Sequence, residues 1–254
     1  MNDFIIESEN LTKKFGTFTA VNQISFSVKR GEIFGFLGAN GAGKTTAMKM
    51  LNGLLKPTSG KAHVAGFDVF TQAKKIRQNI GYMSQKFSLY EDLTVKENFR
   101  FYAGIYGLKR SVIRSKTDEM LKQLHFEETK DQLIGSLPLG WKQKLAFTLA
   151  IFHEPKIVFL DEPTSGVDPI TRRQFWEMIY EAAARHITVF VTTHYMDEAE
   201  YCDRISIMTE GKIAAMGTPP ELKSQFAVSR IDEVFLKLAR PNQGNSNIQI
   251  PNHK

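Results

Sequence analysis

The sequence predicts an α/β fold built on a parallel sheet, and three observations carry that reading. Apolar runs at residues 33–37, 157–160 and 187–191 have the length and near-unbroken hydrophobicity of strands covered on both faces. Segments with helical spacing follow two of them: Ala47, Met48, Leu51, Leu54 and Leu55 after the first, and Ile170, Phe175, Met178 and Ile179 after the second. Between the first strand and its helix lies Gly38-Ala39-Asn40-Gly41-Ala42-Gly43-Lys44-Thr45-Thr46, a glycine-rich turn.

In that turn Gly38, Gly43, Lys44 and Thr45 stand at the spacing G-x-x-x-x-G-K-T, the pattern of a phosphate-binding loop. Such a turn aims several backbone N–H groups at one point, and glycines allow conformations and a closeness of approach that a Cβ would forbid. The positive end of the following helix adds its partial charge. Lys44 then reaches the outer phosphates, and the Thr45 hydroxyl is placed to bind Mg²⁺. A glycine-rich turn with an incidental lysine is the competing reading, and the flanking strand and helix set it aside. The stretch reads as a nucleotide site.

The composition bounds the rest. At 254 residues and 42% apolar content, the chain buries a full core and is not wholly disordered. A net charge of +6, spread along the chain, is compatible with nucleic acid or an anionic membrane and demands neither. The single Cys202 makes no internal disulfide, fits a reducing cytosol and reads as a small buried side chain. Phe4-Ile5-Ile6 is too short for a secretory signal and is followed by acid. No stretch approaches the roughly eighteen apolar residues of a spanning helix, so a membrane role requires another chain.

In order, residues 4–31 read as strands that form an antiparallel edge leading into residues 33–37, with breaks at 13–16 and 29–31. Phe15 sits in a Lys-x-Phe-Gly turn, either stacked on a nucleobase or packed in the core. Residues 56–60 form a turn, and 63–66 and 80–83 form short strands, the latter followed closely by Gln85. From about residue 86 to 153 helical periods take over: Val95, Phe99, Tyr102 and Ala103; Met120, Leu121 and Leu124; Leu145, Leu149 and Ile151. His125 and His153 fall here without carboxylate or cysteine at ligand spacing and read as structural.

Residues 156–162 return to the sheet, with Asp161 and Glu162 at the C-terminal end where parallel sheets bind ligands. Asp168-Pro169 opens a helix as N-cap and first position. The strand at 187–191 runs on to His194, residues 203–208 and 212–216 form an antiparallel pair, and helices begin at Pro219 and Ile231. The tail from Pro241 is rich in Asn, Gln and Pro and reads as mobile.

If the strand ending at Asp161 neighbours the strand before the phosphate loop, Asp161 holds the Mg²⁺ that Thr45 touches. Glu162 then polarises a water in line with the γ-phosphate, aided by His194. Phosphoryl transfer asks the protein for charge neutralisation and a positioned nucleophile, and Lys44 with the loop amides supplies the first.

The phosphate loop, Gln85, Phe-Leu-Asp161-Glu162-Pro-Thr-Ser, Ser165-Gly-Val-Asp168 and His194, in this order, resemble the ATP-binding cassette (ABC) family over about residues 4–222. The resemblance implies one domain over residues 1–240, with 241–254 as the tail. It has a RecA-like P-loop NTPase core with an antiparallel β subdomain (about 1–85 and 155–226), an inserted α-helical subdomain (about 86–154) and a short C-terminal helix (about 229–240). It implies ATP and Mg²⁺ as ligands. Phe15 would stack on adenine, Gln85 would sense Mg²⁺ and join core to helices, Asp168 would lie in a loop crossing between subunits, and His194 would read the γ-phosphate. Two such domains, copies or related cassettes, close head-to-tail around two ATP.

The family's Leu-Ser-Gly-Gly-Gln signature is replaced by Leu137-Pro138-Leu139-Gly140-Trp141. Pro138 offers neither hydroxyl nor N–H, while Gly140 still presents its amide to the partner's phosphate. A weaker cross-subunit contact is therefore expected.

By the same resemblance the chain is the ATPase subunit of a membrane transporter with separate permease subunits, peripheral on the cytoplasmic face. A groove near Gln85, Phe87, Leu89 and Tyr90 would receive a permease helix, although aromatics there also suit a core. The segment 229–238 resembles exporter ATPases, and the short tail leaves no room for a large regulatory domain. The alternatives are a soluble cassette ATPase acting on nucleic acid or ribosomes, and a small-molecule kinase. Basic residues gather in no stripe, so no nucleic acid is expected, and no second substrate pocket is evident for a kinase.

Overall fold

The computed structural model describes residues 3–85 and 89–239, so Phe87 and the tail from Pro241 lie outside the described residues. In chain order the elements are β1 (Phe4–Phe15), β2 (Phe18–Lys29), β3 (Ile33–Leu37), α1 (Lys44–Leu51), β4 (Ser59–Val64), β5 (Phe67–Asp68), α2 (Ala73–Asn79) and β6 (Ile80–Met83). There follow α3 (Val95–Ile105), α4 (Arg110–Gln123), α5 (Leu139–Ile151), β7 (Ile157–Asp161), α6 (Pro169–Ala184) and β8 (Thr188–Thr193). Strands β9 (Arg204–Thr209) and β10 (Lys212–Gly217) and helices α7 (Pro219–Gln225) and α8 (Ile231–Ala239) complete the described chain.

Two sheets form. The larger runs β10-β9-β3-β8-β7-β6 and is parallel except for β10, which pairs antiparallel with β9. The smaller, β2-β1-β4-β5, is antiparallel throughout.

Residues 4–31 differ from the sequence expectation in two ways. They form two strands of 12 residues each, and the lysines expected to break the first one stay within it. Lys13 and Lys14 keep ladder geometry because β1 is paired on both sides, Lys13 with Val21 and Lys14 with Thr19, while Thr58 takes the Lys14 N–H at 3.0 Å. The chain turns instead at Gly16, where φ is +58°. These strands also do not extend the β3 sheet. They make their own sheet, which packs across it through a band of phenylalanines.

Alternation along the buried strands explains that packing. Ile33, Leu37, Val158, Leu160, Val189 and Val191 face one way, into a core shared with α3–α6. Phe34, Phe36, Phe159 and Phe190 face the other way, toward α1 and the antiparallel sheet. Phe26 of β2 lies flat on Phe34 at 5.8 Å, and Phe190 centres the band at 5.3–5.7 Å from Phe34, Phe36 and Phe159. Fully burying such a ring contributes about 1.5–3 kcal/mol, so the band fixes how the phosphate-loop strand sits on the smaller sheet.

Local chemistry sets the helix ends. Thr94 with Glu97, and Thr218 with Glu221, form capping boxes for α3 and α7. Helix α5 starts after Pro138 with no side-chain cap. It lies so close to β6 that a Cβ on Gly81 would meet the Ala150 carbonyl oxygen at 2.1 Å.

His153, just past α5, stacks on Tyr106 at 3.5 Å and its Nε2 meets the Ile80 carbonyl at 3.1 Å, a structural role as expected. Burial pushes its imidazole down to about 4, while in the unfolded chain it titrates near 6.5. Below 6.5 the unfolded chain therefore binds the extra proton, so stability present above pH 6.5 is lost as pH falls to 4. Urea unfolding across that interval is expected to show a shallower loss of stability in His153→Gln than in the unsubstituted protein.

Candidate active site

The phosphate loop joins β3 to α1, and its conformation depends on glycine. Gly43 has φ +103°, and a Cβ there would meet the Ala20 carbonyl oxygen at 2.4 Å. Helix α1 begins at once with Lys44, a buried cation at 4% exposure. Its Nζ donates to the carbonyls of Gly38 and Ala39 at 2.7 and 3.1 Å and lies 3.6 Å from Glu162 Oε1. Burial lowers the Lys44 pKa and the nearby Glu162 carboxylate opposes that shift. The result is a desolvated positive charge at the foot of a helix N-terminus, suited to a polyphosphate.

Thr45 and Asp161 meet across the sheet, Thr45 Oγ1 donating to Asp161 Oδ1 at 3.2 Å. The strand before the phosphate loop and the one ending at Asp161 are not neighbours, contrary to expectation: β8 lies between β3 and β7. The inserted strand helps to hold the site together. Thr192, the register partner of Asp161, donates its hydroxyl to the same carboxylate oxygen at 2.8 Å. Its main-chain oxygen takes the Glu162 N–H at 3.0 Å. Thr192 carried no motif in the sequence, and its only signal was its place near the end of a buried strand.

Glu162 lies in the left-handed region at φ +50°, strained for a residue with a Cβ. The turn it makes leaves the carboxylate 8% exposed, where Gln85 Nε2 donates to it at 2.8 Å and His194 Nδ1 lies 3.1 Å away. Gln85, expected at the metal, is here paired with the acid. Lys44, Thr45, Asp161, Glu162, Gln85 and His194 thus come together at the C-terminal ends of β3, β6, β7 and β8.

A cavity of about 410 Å³ opens above them, lined by Asn40, Gly41, Gly43, Lys44, Thr45, Thr46, Gln85 and Glu162. Its aromatic wall is Phe18, not Phe15. The two rings are cross-strand partners at the end of the β1–β2 hairpin. Phe15 is half exposed, with the Lys13 ammonium 5.0 Å above its ring. Sequence reading missed Phe18 because the hairpin register was not visible.

Gly140 and Asp168 are brought together apart from this cavity. A Cβ on Gly140 would meet Thr171 Cγ2 at 2.5 Å, and Thr171 donates its hydroxyl to Asp168 at 2.6 Å. The Asp168 carboxylate caps α6 by accepting from the Ile170 and Thr171 N–H groups, and the Thr171 hydroxyl, followed by these N–H bonds, lowers its pKa. Ile170 beside it is 73% exposed.

A second cavity, of about 440 Å³, lies between α2, α3 and α5. Ile80, Tyr82, Leu89, Tyr102 and Leu149 line it together with the exposed Lys74 and Arg77. Tyr90, expected in a groove near Gln85, packs on Phe101 at 4.9 Å and does not line this cavity. No described helix is long and apolar enough to cross a membrane.

A glycine turn opening a helix, its buried lysine and a hydroxyl–carboxylate pair held across a parallel sheet define a P-loop nucleotide-binding protein. The family model described as "ABC transporter" matches residues 21–165, more than half the chain, and the chain belongs to that family. It is 53% identical over 223 residues to the "Probable multidrug ABC transporter ATP-binding protein YbhF" of Escherichia coli (strain K12), covering 88% of this chain and 39% of that relative. It is 37% identical over 245 residues to the "Linearmycin resistance ATP-binding protein LnrL" of Bacillus subtilis (strain 168), covering 93% of this chain and 79% of the relative. Among solved structures, "Structure of ATP binding subunit of ABC transporter" superposes with a TM-score of 0.84 at 28% identity, covering 92% of this chain and 99% of the other. The fold is thus the RecA-like cassette fold that the motifs implied.

Proposed function

We propose that this chain is the ATP-hydrolysing subunit of an ABC exporter, working as a closing pair of cassettes on the cytoplasmic face of separate permease subunits. The observation that carries the reading is the strained turn at Glu162. It sets one carboxylate beside Lys44, Gln85 and His194, one residue past the Asp161 that binds Thr45. A helix cap or solvated turn would not require an acid buried at φ +50°.

The donor set fits Mg²⁺. The Thr45 hydroxyl and the Asp161 carboxylate, with the Gln85 amide nearby, are hard oxygen donors, and no group of three or more His, Cys, Asp or Glu suited to a metal occurs among the described residues. Few protein ligands completed by nucleotide phosphates is the usual arrangement for this ion. When bound, Mg²⁺ would be held by Thr45 and Asp161 and would supply charge neutralisation to the nucleotide phosphates.

The chain's own residues do the rest. Lys44 exchanges the Gly38 and Ala39 carbonyls for phosphate oxygens, and the loop N–H groups cradle the remaining charge. Glu162 accepts the proton of the attacking water, His194 holds that carboxylate and the γ-phosphate in register, and Phe18 or Phe15 at the hairpin end stacks on the adenine. Gly140, Asp168 and the exposed Ile170 form the face offered to the second cassette, across which the Pro138 signature makes a weaker contact than a serine would. Export is supported by the multidrug and resistance names of the two relatives.

The groove rimmed by Lys74 and Arg77 is assigned to the permease. Capture of the tagged chain from detergent extract is expected to bring down a polytopic membrane protein. The double substitution Lys74→Glu and Arg77→Glu is expected to lower that recovery several-fold with ATP binding unchanged. Recovery of ribosomes or nucleic acid in its place would favour the soluble cassette reading.

A further inference from the structure

The proposed hydrolysis leaves one fully buried carboxylate without a role. Glu198 lies at 0% exposure on the 3-10 turn Met196–Tyr201 that follows His194. Its Oε1 accepts the Thr164 hydroxyl at 2.5 Å and stands 3.7 Å from Arg172 Nε, while its Oε2 is buried with no hydrogen-bond partner. Taking a carboxylate out of water costs several kcal/mol, and incomplete pairing leaves much of that uncompensated. An apolar side chain of similar volume would fill the space more favourably, so this acid is not explained by packing.

Its contacts close into a ring with the catalytic groups. Thr164 lies two residues beyond Glu162 on the turn that strains that residue. Arg172, whose N–H bonds the Asp168 carbonyl at 3.0 Å, lays its guanidinium over the Tyr195 ring at 4.1 Å. The Tyr195 ring meets that of His194 at 4.2 Å, and His194 Nδ1 stands 3.1 Å from Glu162. Arg172 is shared, with Asp197 at 3.6 Å from Nη1, so its guanidinium is oriented by two acids of one short turn.

The geometry points to Glu198 and Arg172 as positioning residues for the hydrolytic pair, a role that rests on reading Glu162 and His194 as that pair. Glu198 pins the turn after Glu162 through the Thr164 hydroxyl. It also orients Arg172, which holds the Tyr195–His194 rings against the Glu162 carboxylate. The same guanidinium reports the start of α6, and with it the Asp168 loop, to the acid that activates water.

The test is steady-state MgATP hydrolysis with equilibrium nucleotide binding on the full chain. Glu198→Gln keeps an acceptor for Thr164 and removes the charge facing Arg172. Arg172→Met, at a side chain 20% exposed, retains the stem packing and keeps the test open should the buried substitution fail to fold. Each is measured alone and with His194→Ala. Alone, each is expected to lower kcat about tenfold, with KM and nucleotide affinity within about twofold. Beside His194→Ala the same changes are expected to cost no more than about twofold, because the ring is already open. Equal losses in both backgrounds, or an unchanged kcat, would overturn the proposal. Wild-type protein without hydrolysis, or Glu162→Gln at the wild-type rate, would instead overturn the active-site reading and take this proposal with it.

Discussion

Glu162→Gln is expected to retain nucleotide binding and to lower ATP hydrolysis by about 10²–10³-fold, within the range that a general base contributes. The substitution preserves shape and keeps an acceptor for the Gln85 amide, now 2.8 Å from the acid. It also leaves the turn to be held by the Thr192 bonds to the main-chain N–H. What it removes is the basic oxygen proposed to take a proton from water. It also removes a negative charge close to Lys44, so affinity for the anionic nucleotide is expected to hold or rise. Hydrolysis stalled in a closed state should then trap two cassettes around ATP. Phosphate release and sedimentation with and without MgATP measure both effects, and a wild-type rate of release would rule out Glu162 as the base.

Much of this site is legible in the sequence because its parts are local. The phosphate loop, the buried strand ending at Asp161 and the Asp168-Pro169 cap are each specified within a few residues, and the structure has them where their chemistry puts them. What is not legible depends on pairing across the chain. Strand order follows from crossover connections, so nothing in the local pattern says that β8 separates β3 from β7. Nor does it say that Thr192 would bind Asp161. The independence of the antiparallel sheet rests on Phe26 meeting Phe34, a tertiary contact between residues that alternation alone only calls buried. Lys13 and Lys14 mislead because charge is no obstacle to a strand whose side chains reach solvent. Phe18 and Phe15 differ only by hairpin register. The ring through Glu198 is invisible for the same reason, since an acid in a polar stretch shows its burial only once the chain is folded around it.

Lys44→Ala is expected to weaken nucleotide binding by about 10²-fold or more. A hydrogen bond to a charged group contributes about 1.5–3 kcal/mol, and each 1.4 kcal/mol is a factor of ten. In the proposed role the ammonium makes such bonds while also neutralising charge in a desolvated site. The readout is stability as a function of nucleotide concentration. A ligand at 100 times its Kd stabilises the native state by about 2.7 kcal/mol, and that increment should be present in the wild type and absent in the variant at the same concentration. The nucleotide-free proteins provide the reference, because Lys44 also ties down the Gly38 and Ala39 carbonyls and faces Glu162. A loss of stability common to both conditions belongs to that structural part, and only the difference made by nucleotide belongs to phosphate binding. Undiminished stabilisation of Lys44→Ala by ATP would mean that the loop amides and the start of α1 hold the triphosphate unaided, and the lysine would then be a residue that shapes the loop and not one that reads its ligand.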